Sequence, residues 1–469
     1  MTINIGSRRE FFWDDFLADK EKTTAVKRLG QLKKCECVLK LDKGEELISV
    51  SYPHLVKYPG GYRLYYLTCN PYAQLGYNIR ACVQESVDGI NWTRPELDIC
   101  PGANGEKTNI IMENLPDNMF VFYDTNTACP KGEKFKALVK EVNLELPRPE
   151  MLWCYVSEDG FHFNRSHMVT DLGHFDTLNT ASYRDGKYYC FVRSFHNIQE
   201  GVDLNRAIRD IRMLTSEDFR NWTEPVQLEY NDSYDYGMYT NNILAYERAP
   251  HIFVGFPTRY FIRDDWTKNA GQMASIELKR QAAKEIESRD GLCTTDAMFM
   301  CSRDALNWTR YNQSFLTPGY ENDHNWVYGD CYLTYNMMDF GDENYSFYCH
   351  EYSRNKNHPR YLYRYEIRKD GFVYYEAGAE EQIVVTKPIT FEGKKLHLNF
   401  ETSPFGHIYV DVLDETGNAV SGRSFEIYGN TIDRVIEFED GMDFSEFEGK
   451  AVRLRFTMLD AKIYSLKFD

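Results

Sequence analysis

The chain has no Cys-x-x-Cys pair among its twelve cysteines and no apolar run near the roughly 18 residues that span a bilayer. It is also short of positive charge. Lys and Arg number 54 against 71 Asp and Glu, for a formal net charge of −17. That balance excludes a surface built for nucleic acid or an anionic membrane, since both reward Lys and Arg. The cysteines are scattered through strand-like words such as "YYLTCN", "YYCFVR" and "FYCHEY". They read as buried thiols of a reducing compartment, not as a disulfide framework or a zinc site. His54, His174, His324 and His350 lack ligand spacing on one element, so no metal and no cofactor is expected. No charged-then-apolar segment follows Met1, and the expectation is a soluble cytoplasmic protein.

Aromatic residues are plentiful, at 15% of the chain with 34 Tyr and 29 Phe, which suits strands better than a helical bundle. A repeated word organises them. "SVDGINWTR" from Ser86 returns as "SEDGFHFNR" from Ser157, "SEDFRNWTE" from Ser216 and "SRDALNWTR" from Ser302, with a weaker "RKDGFVYYE" from Arg368. Asp and Gly supply a turn, and the aromatic four residues after the Asp anchors the next strand. Hairpin signals such as Gly60-Gly61 and Asp185-Gly186 precede most copies, giving about four strands per unit. From Asp88 to Asp370 the repeat takes four steps, a period of about 70 residues. Five four-stranded modules make a five-bladed β-propeller, an all-β fold expected over residues 1–377. A helical insertion at about 271–290 should lie over its outside or rim. After Ala377 the blade word stops, and short alternating strands predict a C-terminal β-sandwich over 378–469.

In a propeller, the starts of the innermost strands and the ends of their antiparallel neighbours converge on one rim. The starts read as Tyr52-Pro53-His54, Asp124-Thr125-Asn126, Asp176 to Asn179, Tyr239-Thr240-Asn241 and Gly329-Asp330. Counting seven residues from each hairpin turn places Thr68, Glu141, Arg193 and Glu351 at the second-strand ends, with Arg259 nearby in the fourth unit. Asp124, Asp176 and Glu351 therefore become the candidate catalytic carboxylates. Glycosidic bond cleavage needs one carboxylic acid to protonate the leaving oxygen and a second carboxylate as nucleophile or base. In this reading Asp176 is nucleophile or base, Glu351 the acid, and Asp124 orients sugar hydroxyls. Substrate contacts are expected from Tyr52, His54, Asn179, Arg193, Asn241, Arg259, Trp326 and Asp330, so that the partner is a carbohydrate. Asp14-Asp15 reads as the cap of a turn.

The words "YPHLVKYPGGYRLYY", "FYDTN", "HFDTLNTASYRDGKYYCFVR", "MYTNNILAYERAPHIFVGFPTRYF" and "DAMFMCSRDALNWTRY", with the tail "TKPITFEGKKLHLNFETS", resemble bacterial proteins similar to glycoside hydrolase families 32 and 43. The resemblance implies a hydrolase acting on furanosides such as fructosides, arabinosides or xylosides, with an Asp in the first blade, a second Asp and a Glu acid. Here the first-blade position reads Ser51-Tyr52-Pro53-His54, without an Asp. Asp124 and Asp176 match that pattern by position only. Two other readings stay open. Similar propellers include glycoside phosphorylases, in which phosphate is the nucleophile and Arg193 and Arg259 would hold it. The third is a carbohydrate-binding propeller without turnover.

Overall fold

The computed structural model describes residues 2–69, 78–102, 104–198, 207–355 and 358–469. Strands dominate, as the aromatic and β-branched composition requires, and between residues 33 and 368 they assemble into sheets that follow the chain. The first sheet takes Val50–Tyr58, Gly61–Thr68, Ile79–Ser86 and Ile110–Leu115. Met119–Tyr123, Phe135–Val142, Glu150–Ser157 and Asn164–Thr170 form the second. The third runs through Thr180–Arg184, Lys187–His196, Ile208–Ser216 and Val226–Gln227. A fourth holds Ile243–Ala245, Phe253–Gly255, Met300–Ser302 and Asn307–Arg310, with Glu229–Tyr230 added in parallel at its edge.

The fifth sheet has Met338–Asp339, Asn344–Glu351 and Arg360–Arg368, and its outer strand is Lys33–Leu41 from the other end of the chain. The inner strands are tied in cyclic order by buried polar groups. The amide of Val121 donates to His54 Nε2 at 2.9 Å, Asn118 donates to the Phe175 carbonyl, Thr180 Oγ1 donates to Asn241 Oδ1, and Asn242 donates to the Leu333 carbonyl. The amide of Leu55 then donates to the Tyr335 carbonyl at 3.0 Å and returns the order to the first sheet.

The repeated word is the turn between the third and fourth strands. In the first sheet Ser86 Oγ donates to Asp88 Oδ1, the amides of Ile90 and Asn91 donate to the same oxygen, and Trp92 Nε1 donates back to the Gly89 carbonyl. Asp159, Asp218 and Asp304 repeat the pattern. The residue after each Asp has positive φ, which Gly89 and Gly160 adopt freely and which Phe219 and Ala305 adopt under strain. Asp370, the weaker fifth copy, differs. It is fully buried and accepts from Tyr246, Asn399 and Ser465, so it fastens the ring of sheets to the C-terminal sheet.

That last sheet corrects the boundaries read from sequence. Val373–Ala377 pairs with Arg453–Phe468, and the N-terminal strands Glu10–Phe11 and Val26–Leu29 join the same sheet. Ile3–Gly6 pairs with Ile389–Phe391 alongside. Residues 2–29 thus pair with the C-terminal strands and bury Ile5, Phe12, Leu17 and Ala18 in that core, while Phe11, Trp13 and Leu29 reach into the core of the preceding sheets. Asp14 does cap a turn, accepting from the Phe16 amide, and it also holds Arg303 at 2.6 Å. The insertion forms helices α1 (Ile276–Glu285) and α2 (Ser288–Leu292). Among the described residues, no helix is long and apolar enough to cross a membrane.

Candidate active site

A cavity of about 480 Å³ opens where the inner strands begin and their second strands end. Asp117 enters it from the loop before Met119–Tyr123, and Asp176 from the loop before Thr180–Arg184. Lys140 and Arg193 come from the second strands of the same two sheets. Tyr52, Tyr239 and Tyr328 bring aromatic faces from the first, fourth and fifth units, linked by their hydroxyls. The turn from α1 into α2 supplies Glu287, and α2 supplies Arg289 and Asp290.

The Asp176 turn is strained. Thr177 is fully buried at a φ of 74°, a conformation β-branched residues rarely adopt, and its hydroxyl donates to the Tyr239 carbonyl at 3.0 Å. Asn179 holds the loop from below by donating to the Phe175 and Thr177 carbonyls while accepting from the Arg193 amide. Asp176, with its side chain 36% exposed, then meets Arg193 Nη1 at 3.1 Å. Arg193 is itself aimed by its Nε donating to the His174 carbonyl.

Asp117 and Asp176 lie within hydrogen-bonding reach of each other. Lys140 Nζ donates to Asp117 Oδ2 at 3.0 Å and also lies 3.5 Å from Glu150. Glu150 accepts from the Phe175 amide. The pair is driven apart in acidity. Burial and then the Asp176 charge push Asp117 up to about 7, against the pull of Lys140. Burial also works against the Asp176 charge, but Arg193, Lys140 and the hydrogen bond from Asp117 outweigh it and hold Asp176 below the usual carboxylate range. Two close carboxyls cannot both ionise cheaply, so the pair gives up its last proton only at about pH 7, mainly from Asp117.

Of the residues expected from sequence, Asp176, Arg193 and Tyr52 line this cavity and the others do not. Asp124 ends the inner strand of the second sheet instead of starting it. It is fully buried there, accepting from Lys136 Nζ at 2.7 Å and the Tyr188 hydroxyl at 2.8 Å. Glu351 and Asp330 line a neighbouring cavity of about 380 Å³, where Glu351 pairs with Lys34 and accepts from Tyr365. Arg259 binds Asp296 and the Asn312 carbonyl outside the site. His54, Asn179 and Asn241 are buried clamps between or within the inner strands, with hydrogen bonds to their neighbours. Trp326 donates to the Gly319 carbonyl and lines neither cavity.

Sequence reasoning missed Asp117, Lys140 and Arg209. Glu141 was one residue out of phase, and a slip of one turns a strand side chain to the opposite face. Glu141 faces Arg165 and Tyr155 outside, while Lys140 faces the cavity. The available signal for Asp117 was the loop word "LPDNMF", in which Pro and an Asp-Asn pair precede an apolar run.

No known family model matches the chain, and no curated protein does. Solved structures similar to it include an N-acetylgalactosamine deacetylase from F. plautii in complex with blood group B trisaccharide. That likeness has 12% identity and a TM-score of 0.48, covering 73% of this chain and 96% of that one. A family-32 β-fructofuranosidase from Bombyx mori is similar at 10% identity and a TM-score of 0.41, over 99% of this chain and 95% of that one. A mannose phosphorylase from Leishmania mexicana, in complex with phosphate ion, is similar at 11% identity and a TM-score of 0.41, over 72% and 89%. These are likenesses of fold alone.

Proposed function

We propose that the chain is a glycoside hydrolase acting on a small oligosaccharide or glycoside, with residues 33–368 as a five-bladed propeller and residues 2–29 and 373–469 as a β-sandwich beside it. The observation that carries this reading is the Asp117–Asp176 pair at the mouth of the ring, with acidities pushed to opposite sides of the carboxylate range. Asp117 donates its proton to the glycosidic oxygen as that C–O bond breaks with its electron pair and the leaving group departs as an alcohol; water adds to the anomeric carbon, and the proton it releases restores the dyad. Asp176, charged and fixed by Arg193, faces the positive charge that develops at the anomeric carbon and keeps the Asp117 proton in place before reaction. The Tyr52, Tyr239 and Tyr328 rings offer flat apolar faces to sugar rings. The buried thiols of Cys154, Cys190, Cys301 and Cys349 support a reducing, cytoplasmic setting.

The test is leaving-group dependence. Asp117→Asn should slow hydrolysis of glycosides with alkyl leaving groups far more than that of activated aryl glycosides, which need little protonation. Equal loss on both substrates would remove Asp117 from the proton-donating role.

A further inference from the structure

We propose that the cavity contains an oxyanion site at Arg209, filled either by free phosphate as co-substrate or by a carboxylate carried on the sugar. The inference deepens the glycoside reading and rests on it for the choice of ligands. Its evidence is one cation that, among the described residues, has no ion-pair partner. Every other arginine of the cavity has a carboxylate partner: Arg193 has Asp176, Arg289 has Glu287, and Arg354 has Asp290 at 3.2 Å. Arg209 is 4% exposed, its Nε has no hydrogen-bond partner, and among the described residues no carboxylate lies within ion-pair distance of it. Its guanidinium instead lies over the Tyr260 ring at 4.2 Å and near those of Tyr239 and Phe195 at 5.5 Å. Aromatic faces reduce the cost of burying a guanidinium but leave its N–H donors unused.

Sheet geometry places those donors beside the reacting carboxylates. Arg209 stands directly opposite Phe195 on adjacent strands of the third sheet, and Arg193 stands opposite Ile211. Arg193 and Arg209 therefore share one face as diagonal neighbours, about 7–8 Å apart at the backbone. The Arg209 charge also lowers the pKa of Asp176, so the two side chains feel each other across the cavity. It lines both this cavity and an adjoining one of about 890 Å³, which places the anion at the junction of the two. A planar fork of N–H donors matches the oxygens of phosphate or carboxylate.

With phosphate, the chemistry balances without further reagents. A phosphate oxygen forms the bond to the anomeric carbon as the glycosidic C–O bond breaks with its electron pair, and the departing oxygen takes the Asp117 proton. The proton of hydrogen phosphate then restores the dyad, leaving a sugar 1-phosphate and an alcohol. With an acidic sugar, Arg209 only binds and orients the substrate, and water is the incoming group.

The experiment is calorimetric titration of the full-length protein with inorganic phosphate, with glucuronate and with neutral methyl glucoside, in wild type, Arg209→Ala and Arg209→Lys. At least one anion should bind wild type more tightly than the neutral sugar, and Arg209→Ala should weaken it by about tenfold or more. Arg209→Lys, which keeps the charge and loses the fork, should fall between, and it carries the test if the alanine variant melts early. Phosphate binding with phosphate-dependent turnover assigns the co-substrate, whereas glucuronate binding with preferred turnover of uronosides assigns the sugar carboxylate. Equal affinity for all three ligands, or anion binding unchanged in both variants, overturns the site. Anion binding lost in the variants of a protein that turns over no glycoside would retain the oxyanion site and reject the hydrolase reading.

Discussion

Two aspartates stand at opposite ends of one five-residue strand, Met119–Tyr123, and the strand makes them into different objects. Asp124 is fully buried against a lysine, a tyrosine hydroxyl and the Asn126 amide, all donors to its charge. Asp117 has Lys140 on one side and another carboxylate on the other. The first environment offers only donors, and the second, with a carboxyl beside it, holds a proton. Burial and a lysine partner, which both aspartates have, therefore do not distinguish a structural carboxylate from a reactive one; a second carboxyl alongside does.

The comparison breaks most visibly in turnover. Asp117→Asn should lower kcat on alkyl glycosides by about 10²–10⁴-fold, the usual worth of a positioned acid, with the folded state retained. Circular dichroism beside the kinetics separates that outcome from misfolding. The opposite end should fail the other way. Asp124→Ala strands the Lys136 charge in the interior and should cost about 3–5 kcal/mol in denaturant unfolding, with activity per folded molecule unchanged.

Stability against pH sharpens the contrast. A carboxyl whose folded value is about 7 against an ordinary 3.8 binds its proton more tightly in the folded state. Its stabilising contribution is present below about pH 4 and is lost as pH rises to about 7. Asp117→Asn should therefore gain on wild type across that window and hold a constant difference above it, as read by urea unfolding at several pH values. A difference that stays constant from pH 4 to pH 8 would show Asp117 ionised like an ordinary aspartate. The smallest effect is expected at Glu351, whose pairing with Lys34 is partly exposed. Glu351→Gln should leave turnover unchanged and cost no more than about 1 kcal/mol.

The repeat was legible because each Ser-x-Asp turn is a local hydrogen-bond device, written in consecutive residues and independent of what packs around it. Asp176 and Arg193 were legible because their loop and hairpin are punctuated by Asp185-Gly186, which fixes the count. Around the second sheet no such mark exists. "MFVFY" is apolar throughout, so its alternation does not say which end faces which rim, and both ends carry an Asp followed closely by an Asn. Lys33–Leu41 could not be assigned to the fifth sheet from its own residues, since its pairing partner lies more than three hundred positions away. Arg209 carried no local signal either, because only the fold reveals that, among the described residues, no acidic side chain pairs with it.

Carboxyl carbon chemical shifts of ¹³C-labelled aspartate measure the proton held by the Asp117–Asp176 pair directly, with Asp117→Asn used to assign the resonance. The prediction is an Asp117 carboxyl that titrates with a midpoint of about 7 while Asp176 ionises below the usual carboxylate range. Both carboxyls fully ionised by pH 5 would contradict it and remove the proton donor from the proposed site.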